Sequence, residues 1–208
     1  SGERTIFFIS IVYLFLITLL IFIENKFYFL FFIIFTLTFV AINPSKRIFK
    51  SFNFTNVKNP DQVYSELKVY KDLYTTAYKM FLDKKLFGHG VQSFRNKCID
   101  KKFNENRYGC STHPHNYYFQ ILGENGIIGL LIFLSIILFL TKDFLFIFIR
   151  WVKNKKDTKS LGLMIILLNI IVSFTPILPT GNMYSSISGI FIFFKLAIYF
   201  GLKARKFN

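Results

Sequence analysis

The chemistry this chain can offer rests on three histidines, two cysteines and a few isolated arginines among its 208 residues. The densest group is Thr112-His113-Pro114-His115-Asn116. Imidazole near neutrality can take a proton, donate a hydrogen bond to phosphate, or bind a metal. A metal would need three or four ligands. Only His89, Cys98 and Cys110 could add to the pair, and their spacing matches no zinc pattern, so the expectation is no metal and no cofactor. The competing structural role is His115 as the cap of the helix that follows. Arg4 stands at the mouth of an apolar run with only Glu3 beside it. It is either an interfacial anchor or a planar fork able to hold a phosphate bidentately. Arg95 offers the same fork from a loop. Cys98 and Cys110 enclose a short basic and polar stretch. Outside the cytoplasm a disulfide is expected there, contributing about 3 kcal/mol if unstrained and tying the Arg95 region to the histidine pair.

The elements that must position these residues are mostly apolar. Hydrophobic residues make up 53% of the chain and aromatics 20%, with 29 phenylalanines and a mean hydropathy of +0.44. That composition argues for a membrane protein and against a disordered chain or a disulfide-dense secreted domain. Ile6–Ile23 is an 18-residue run without a charge, long enough for a membrane span. Glu24-Asn25-Lys26 turns the chain, and Phe27–Ile42 returns it as the second arm of a hairpin. Further spans are expected from Gly126 to Ile149, from Leu161 to Leu178, and from Ser185 to Leu202. The sequence therefore predicts an all-α integral membrane protein with about five transmembrane helices.

Its expected organisation is a transmembrane hairpin over 1–43, a loop domain over 44–118, and three spans with a basic tail over 119–208. The 75-residue loop domain holds all the histidines and both cysteines. Within it, Asn59-Pro60-Asp61 reads as a helix start, with Asn as the cap and Pro at the first position. Val63, Leu67, Tyr70, Tyr74, Ala77 and Phe81 then recur at helical spacing, predicting an amphipathic helix over about 61–85.

The net charge of +15 divides into two populations. Arg150–Ser160 carries five basic residues against one acid, and the tail is basic too. Short basic loops stay in the cytoplasm, which sends Ser1–Thr5, the loop domain and the Pro179–Tyr184 turn to the outer face. The loop domain has 14 Lys/Arg against 6 Asp/Glu, an excess of eight that orientation does not require. Such an excess beside a membrane suits an anionic head group or a diphosphate, or is a solvated lysine surface. Dispersed basic residues without a binding motif give nucleic acid no support.

The order of these pieces resembles the C-terminal half of the O-antigen ligase/polymerase family of membrane glycosyltransferases. The resemblance is carried by Ser1-Gly2-Glu3-Arg4-Thr5 before a span, Tyr74 to Phe81 leading to Leu86-Phe87-Gly88-His89-Gly90, and Phe94-Arg95 with Cys98. Cys110-Ser-Thr-His-Pro-His-Asn116 then leads into Leu122-Gly-Glu124-Asn-Gly126-Ile-Ile-Gly129, the most specific block, and Pro179-Thr-Gly-Asn182 precedes the last span.

What the resemblance implies is a GT-C-like fold in the bacterial inner membrane, of which the N-terminal half is not in this sequence. It implies transfer of a glycan from undecaprenyl diphosphate to lipid A-core at the periplasmic face, without nucleotide sugar or metal. The alternative within the same chemistry is polymerisation of O-antigen or capsule polysaccharide. By the same resemblance Arg4 lies near the carrier diphosphate and His115 is the histidine of a His-Asn motif. Arg95, Lys71, His113 and Asn116 are then candidate substrate contacts. Many relatives carry an arginine shortly before the position of Tyr74; here that stretch reads Lys68-Val69-Tyr70-Lys71, with Tyr70 at the position itself. A non-catalytic transport or binding component would want ionisable residues at mid-membrane, and only the last span holds one, Lys195.

Overall fold

A computed structural model describes residues 13–17, 30, 33–34, 60–104, 108–153, 158–176 and 180–207. Arg4 and most of the predicted hairpin over 1–43 lie outside the described residues. The described chain is helical throughout, with no strand.

Helix α1 runs Pro60–Asp83, close to the predicted amphipathic helix. Leu73, Ala77 and Met80, at three- and four-residue spacing, form its buried face. They pack on Phe94 of the short helix α2 (Phe94–Lys97), on Cys98 and on Phe103, with Phe119 at the edge of the cluster. Cys98 and Cys110 are joined by a disulfide, which closes the loop that leads from α2 to the histidines.

Helix α3 runs Tyr117–Lys153 and is interrupted at Gly126 (φ 69°, ψ −165°). The sequence placed the start of this helix near Gly126. It begins nine residues earlier because Asn116 caps it: the Asn116 side-chain oxygen accepts from the N–H groups of Tyr118 (2.9 Å) and Phe119 (3.3 Å). Helix α4 is Thr158–Ser173 and helix α5 is Ser186–Phe207. The span expected over Leu161–Leu178 is thus cut short. Pro176 has no N–H, and its ring would collide with the carbonyl of Val172, so the helix cannot run through it. The N–H and hydroxyl of Thr175 both turn back to that carbonyl (3.2 and 2.8 Å).

The second core lies between α3, α4 and α5, around Leu140, Trp151, Leu163, Met164, Leu167 and Tyr199. The stretch 13–17 joins it through Ile17 and through the Tyr13 hydroxyl, which donates to the Ile165 carbonyl (3.3 Å). Opposite this core, α3 exposes Leu131, Ile132, Leu138 and Phe139, and α5 exposes Ile190, Phe191, Phe193 and Phe194. Charge is turned inward instead: Asp143 of α3 accepts hydrogen bonds from Tyr199 and Lys203 of α5. Among the described residues only Tyr117–Lys153 is long and apolar enough to cross a membrane; Lys159–Ser173 is apolar but shorter. The structure thus supports one of the five expected spans by length and composition.

The break at Gly126 has a specific construction. An unbroken helix would bond the N–H groups of Ile127 and Ile128 to the carbonyls of Gly123 and Glu124. Here Ile127 and Ile128 donate instead to the carbonyls of Lys85 (2.8 Å) and Leu86 (3.3 Å). The freed carbonyls of Gly123 and Glu124 accept from His89 (3.3 Å) and Gly90 (2.8 Å). Two intrahelical bonds are exchanged for four bonds to the 85–90 loop, so these four helix groups stay paired. Both sides need glycine. A Cβ on Gly126 would sit 2.7 Å from the Gly88 nitrogen, and one on Gly88 (φ 65°) would sit 2.6 Å from the Asn125 nitrogen.

We expect Gly126→Ala to destabilise the protein by more than the ~1–3 kcal/mol cost of putting an alanine in this glycine-only backbone region, because the clash adds to it. Gly162→Ala, inside α4 with open space around it, should be neutral or slightly stabilising. Thermal unfolding of the two variants in detergent checks the contrast.

Candidate functional site

The first stretch of α3, before the break, carries the polar groups that fix the site. Glu124 is buried, and its carboxylate accepts from the Phe94 N–H (2.9 Å) and from the Gln120 side-chain amide (3.2 Å). Gln120 is buried as well. Its amide nitrogen also donates to the Asn182 side chain (2.8 Å), and its carbonyl accepts from the Met183 N–H (3.1 Å). Tyr184 donates its hydroxyl to Asn125, and Gln92 (φ 59°) donates to the Tyr184 carbonyl (2.9 Å). Burial, then the charge of Glu124, pushes the Tyr184 phenol up to about 12, so it remains a donor at neutral pH. Glu124 therefore holds α2, and Gln120 holds the turn before α5, from one face of the same helix.

The histidine pair sits at the head of this scaffold. His115 has φ 57°, a left-handed conformation that costs a non-glycine residue about 1–2 kcal/mol. It is held there from both sides. Its carbonyl accepts from the Thr180 N–H (2.8 Å), and the next residue, Asn116, is fixed by its capping bonds and by donating to the Pro176 carbonyl (2.8 Å). The His113 and His115 rings lie 4.1 Å apart, centroid to centroid. Tyr70 meets the His115 ring edge-on at 6.1 Å, and Tyr74 stacks on Phe119 at 4.6 Å, so one face of α1 walls the pair.

Both rings are built to stay neutral. Burial, then the neighbouring His115, depresses His113 to about 4. Burial likewise lowers His115, partly opposed by the backbone of Thr180. The Thr112 hydroxyl meets Nδ1 of His113 at 2.9 Å. If that hydroxyl donates, Nε2 of His113 bears the proton; if it accepts, Nε2 is a free lone pair. Either way Nε2 is buried without a partner among the described residues, and so is the hydroxyl of Thr180. Two unpaired buried polar atoms in one small region are costly unless something else meets them. A neutral imidazole with an open ring nitrogen can accept a proton from a hydroxyl or hydrogen-bond a phosphate oxygen.

The structure brings together three of the residues singled out in the sequence: His113, His115 and Asn116. The Asn116 side chain is spent on the helix cap and on Pro176, so its described bonds are structural. His115 itself does not cap α3. Lys71 is exposed on α1, next to Tyr70, and Arg95 is exposed on α2. The disulfide sulfur of Cys98 lies 3.6 Å from the carbonyls of both Arg95 and Ser111, which links α2 to the segment carrying the histidines. His89 is set apart from the pair. Its Nε2 meets the Met80 carbonyl (3.1 Å) and Asp83 (3.3 Å), and its ring packs on Phe103, a bracing role. Among the described residues no three His, Cys, Asp or Glu side chains converge as metal ligands. Thr180, Gln120 and Glu124 are the participants that sequence reasoning missed. Their long-range partners lie 30 to 65 residues away, and nothing local signals those pairings.

A family model described as O-antigen ligase matches residues 1–134, a span that includes the histidine pair, the 85–90 loop and the break in α3. No curated protein and no solved structure matches the chain.

Two expectations follow from this geometry. The folded-state pKa of His113 is below its ordinary 6.5, so the unfolded chain binds the extra proton first as pH falls. Stability is therefore full above about 6.5 and declines as pH drops towards 4, a loss that His113→Gln should reduce in thermal melts taken across that window. Thr180→Val removes a buried hydroxyl that bonds to none of the described residues, so the melting temperature should hold or rise. If that hydroxyl meets a bound substrate, the same variant should lose glycan-transfer activity, measured at equal membrane levels.

Proposed function

The chain belongs to the O-antigen ligase family, membrane glycosyltransferases that act on lipid-linked glycans, and on that premise we propose that it moves a glycan from undecaprenyl diphosphate to lipid A-core at the periplasmic face. The observation that carries this reading is the neutral histidine pair at the head of the apolar helix α3, with a His113 ring nitrogen that has no partner among the described residues. A polyprenyl diphosphate keeps its tail in lipid and its head at the interface. A site at the mouth of a membrane helix meets that demand.

In the proposed reaction an acceptor sugar hydroxyl attacks the anomeric carbon of the donor. The new glycosidic C–O bond forms as the C–O bond to the diphosphate breaks, and undecaprenyl diphosphate leaves. His115, held neutral, takes the proton of the attacking hydroxyl. His113 and Thr180 offer hydrogen bonds beside it. Arg4 supplies the bidentate cation for the diphosphate, whose negative charge grows as the bond breaks. Lys71 and Arg95 are the further basic contacts. No metal takes part in this scheme.

The test is a glycan-transfer gel on membranes supplied with lipid-linked glycan and lipid A-core, using the full-length protein. Arg4→Lys keeps the charge but loses the fork, and His115→Ala loses the base. Each should lower transfer by roughly 10²–10³, the usual cost of one such contact. His115→Ala should leave donor binding largely intact if the ring is a base. Unchanged transfer in both variants at equal expression would reduce these residues to an anchor and a wall.

A further inference from the structure

The 82–87 stretch, Leu-Asp-Lys-Lys-Leu-Phe, is exposed at every position. Phe87 shows 73% of its surface and Leu86 60%, and Tyr78 and Val91 extend the apolar patch. The acid within it is occupied, since Asp83 pairs with Lys102 and with His89. Lys84 and Lys85 are left beside the exposed apolar side chains.

The height of this patch is fixed by backbone bonds. Lys85 and Leu86 accept from Ile127 and Ile128, the first residues of the apolar part of α3. Ile128, Leu131, Ile132, Ile136 and Phe139 are exposed at three- and four-residue spacing, so they form one continuous apolar face. Leu86 and Phe87 extend that face beyond the helix end. If α3 crosses the bilayer, which is the premise of the proposed function, the loop lies at the level of the lipid head groups. An aromatic and a leucine flush with the acyl boundary, next to two lysines at phosphate level, is the composition of an interfacial anchor. The paired lysines also make a poor surface for a second apolar helix, which would have to desolvate them.

We propose that the 82–87 loop docks on the outer leaflet of a bilayer containing anionic lipid, with Leu86 and Phe87 in the acyl boundary and Lys84 and Lys85 on the phosphates. Its Lys85 and Leu86 carbonyls hold Ile127 and Ile128, and His89 and Gly90 just beyond it hold the carbonyls of Gly123 and Glu124, so docking fixes the histidine scaffold relative to the head groups.

The experiment places the full chain carrying Phe87→Trp in nanodiscs of phosphatidylcholine and phosphatidylglycerol. The unsubstituted chain, whose one tryptophan is the buried Trp151, supplies the background to subtract. The new tryptophan should lose emission to lipids labelled with doxyl high on the acyl chain, less to lipids labelled near the chain end, and little to aqueous acrylamide. Leu131→Trp serves as the reference for α3 and should be quenched by the deeper label. If Leu131→Trp is quenched while the tryptophan at 87 is reached only by acrylamide, or by neither quencher, the anchor is wrong and the span stands. If Leu131→Trp escapes every lipid quencher, the spanning premise fails and the anchor with it.

Discussion

Four backbone hydrogen bonds between the broken turn of α3 and the 85–90 loop are the constraint on which the other features depend. A helix interrupted in an apolar setting leaves carbonyls and N–H groups that cost free energy unless they find partners. The loop provides them in register, and glycines at 88 and 126 let the two backbones approach closely enough. Gly123 adds a third close approach, since a side chain there would meet the Ala77 carbonyl at 2.9 Å. The crossing of α1 over α3, the direction of the first part of α3 and the position of α2 all follow from this one junction.

On that junction the polar side chains act as spacers. Glu124 reaches to the backbone of α2, and Gln120 reaches to the turn before α5. Because both are buried and bonded, their geometry is stiff, and the segment carrying the histidines is held between two fixed neighbours. The left-handed backbone at His115 is the visible cost of this arrangement. Strain of that kind persists where surrounding bonds over-determine it, and such places coincide with working sites.

The electrostatics of the pair also come from packing. Two imidazoles in contact cannot both be charged cheaply, and burial disfavours charge on either, partly opposed by the Thr180 backbone. Neutrality suits a group that must receive a proton or meet a phosphate without first losing one. His113 Nε2 and the Thr180 hydroxyl are polar capacity that the described residues do not use.

The sequence by itself determined the all-helical apolar character, the amphipathic helix before the loop and the clustering of His113, His115 and Asn116. These are local properties, set by periodicity and by residues two or three apart. It also marked Cys98 and Cys110, for which a chain with two cysteines has one internal pairing, and the structure has them bonded. Asn116 is a preferred cap residue placed directly before Tyr117, but the start of α3 expected near Gly126 hid that signal, and the bonds to Tyr118 and Phe119 made it visible. The sequence marked the glycines of the 86–90 loop and of the Gly126 segment but not that they are one junction, since the bonds between them span about 34 to 42 residues. The tertiary structure alone decided that, together with the entry of Thr180 into the site. Each depends on where a distant backbone group comes to rest, and hydrogen-bond partners brought together by folding leave no periodic trace in the chain.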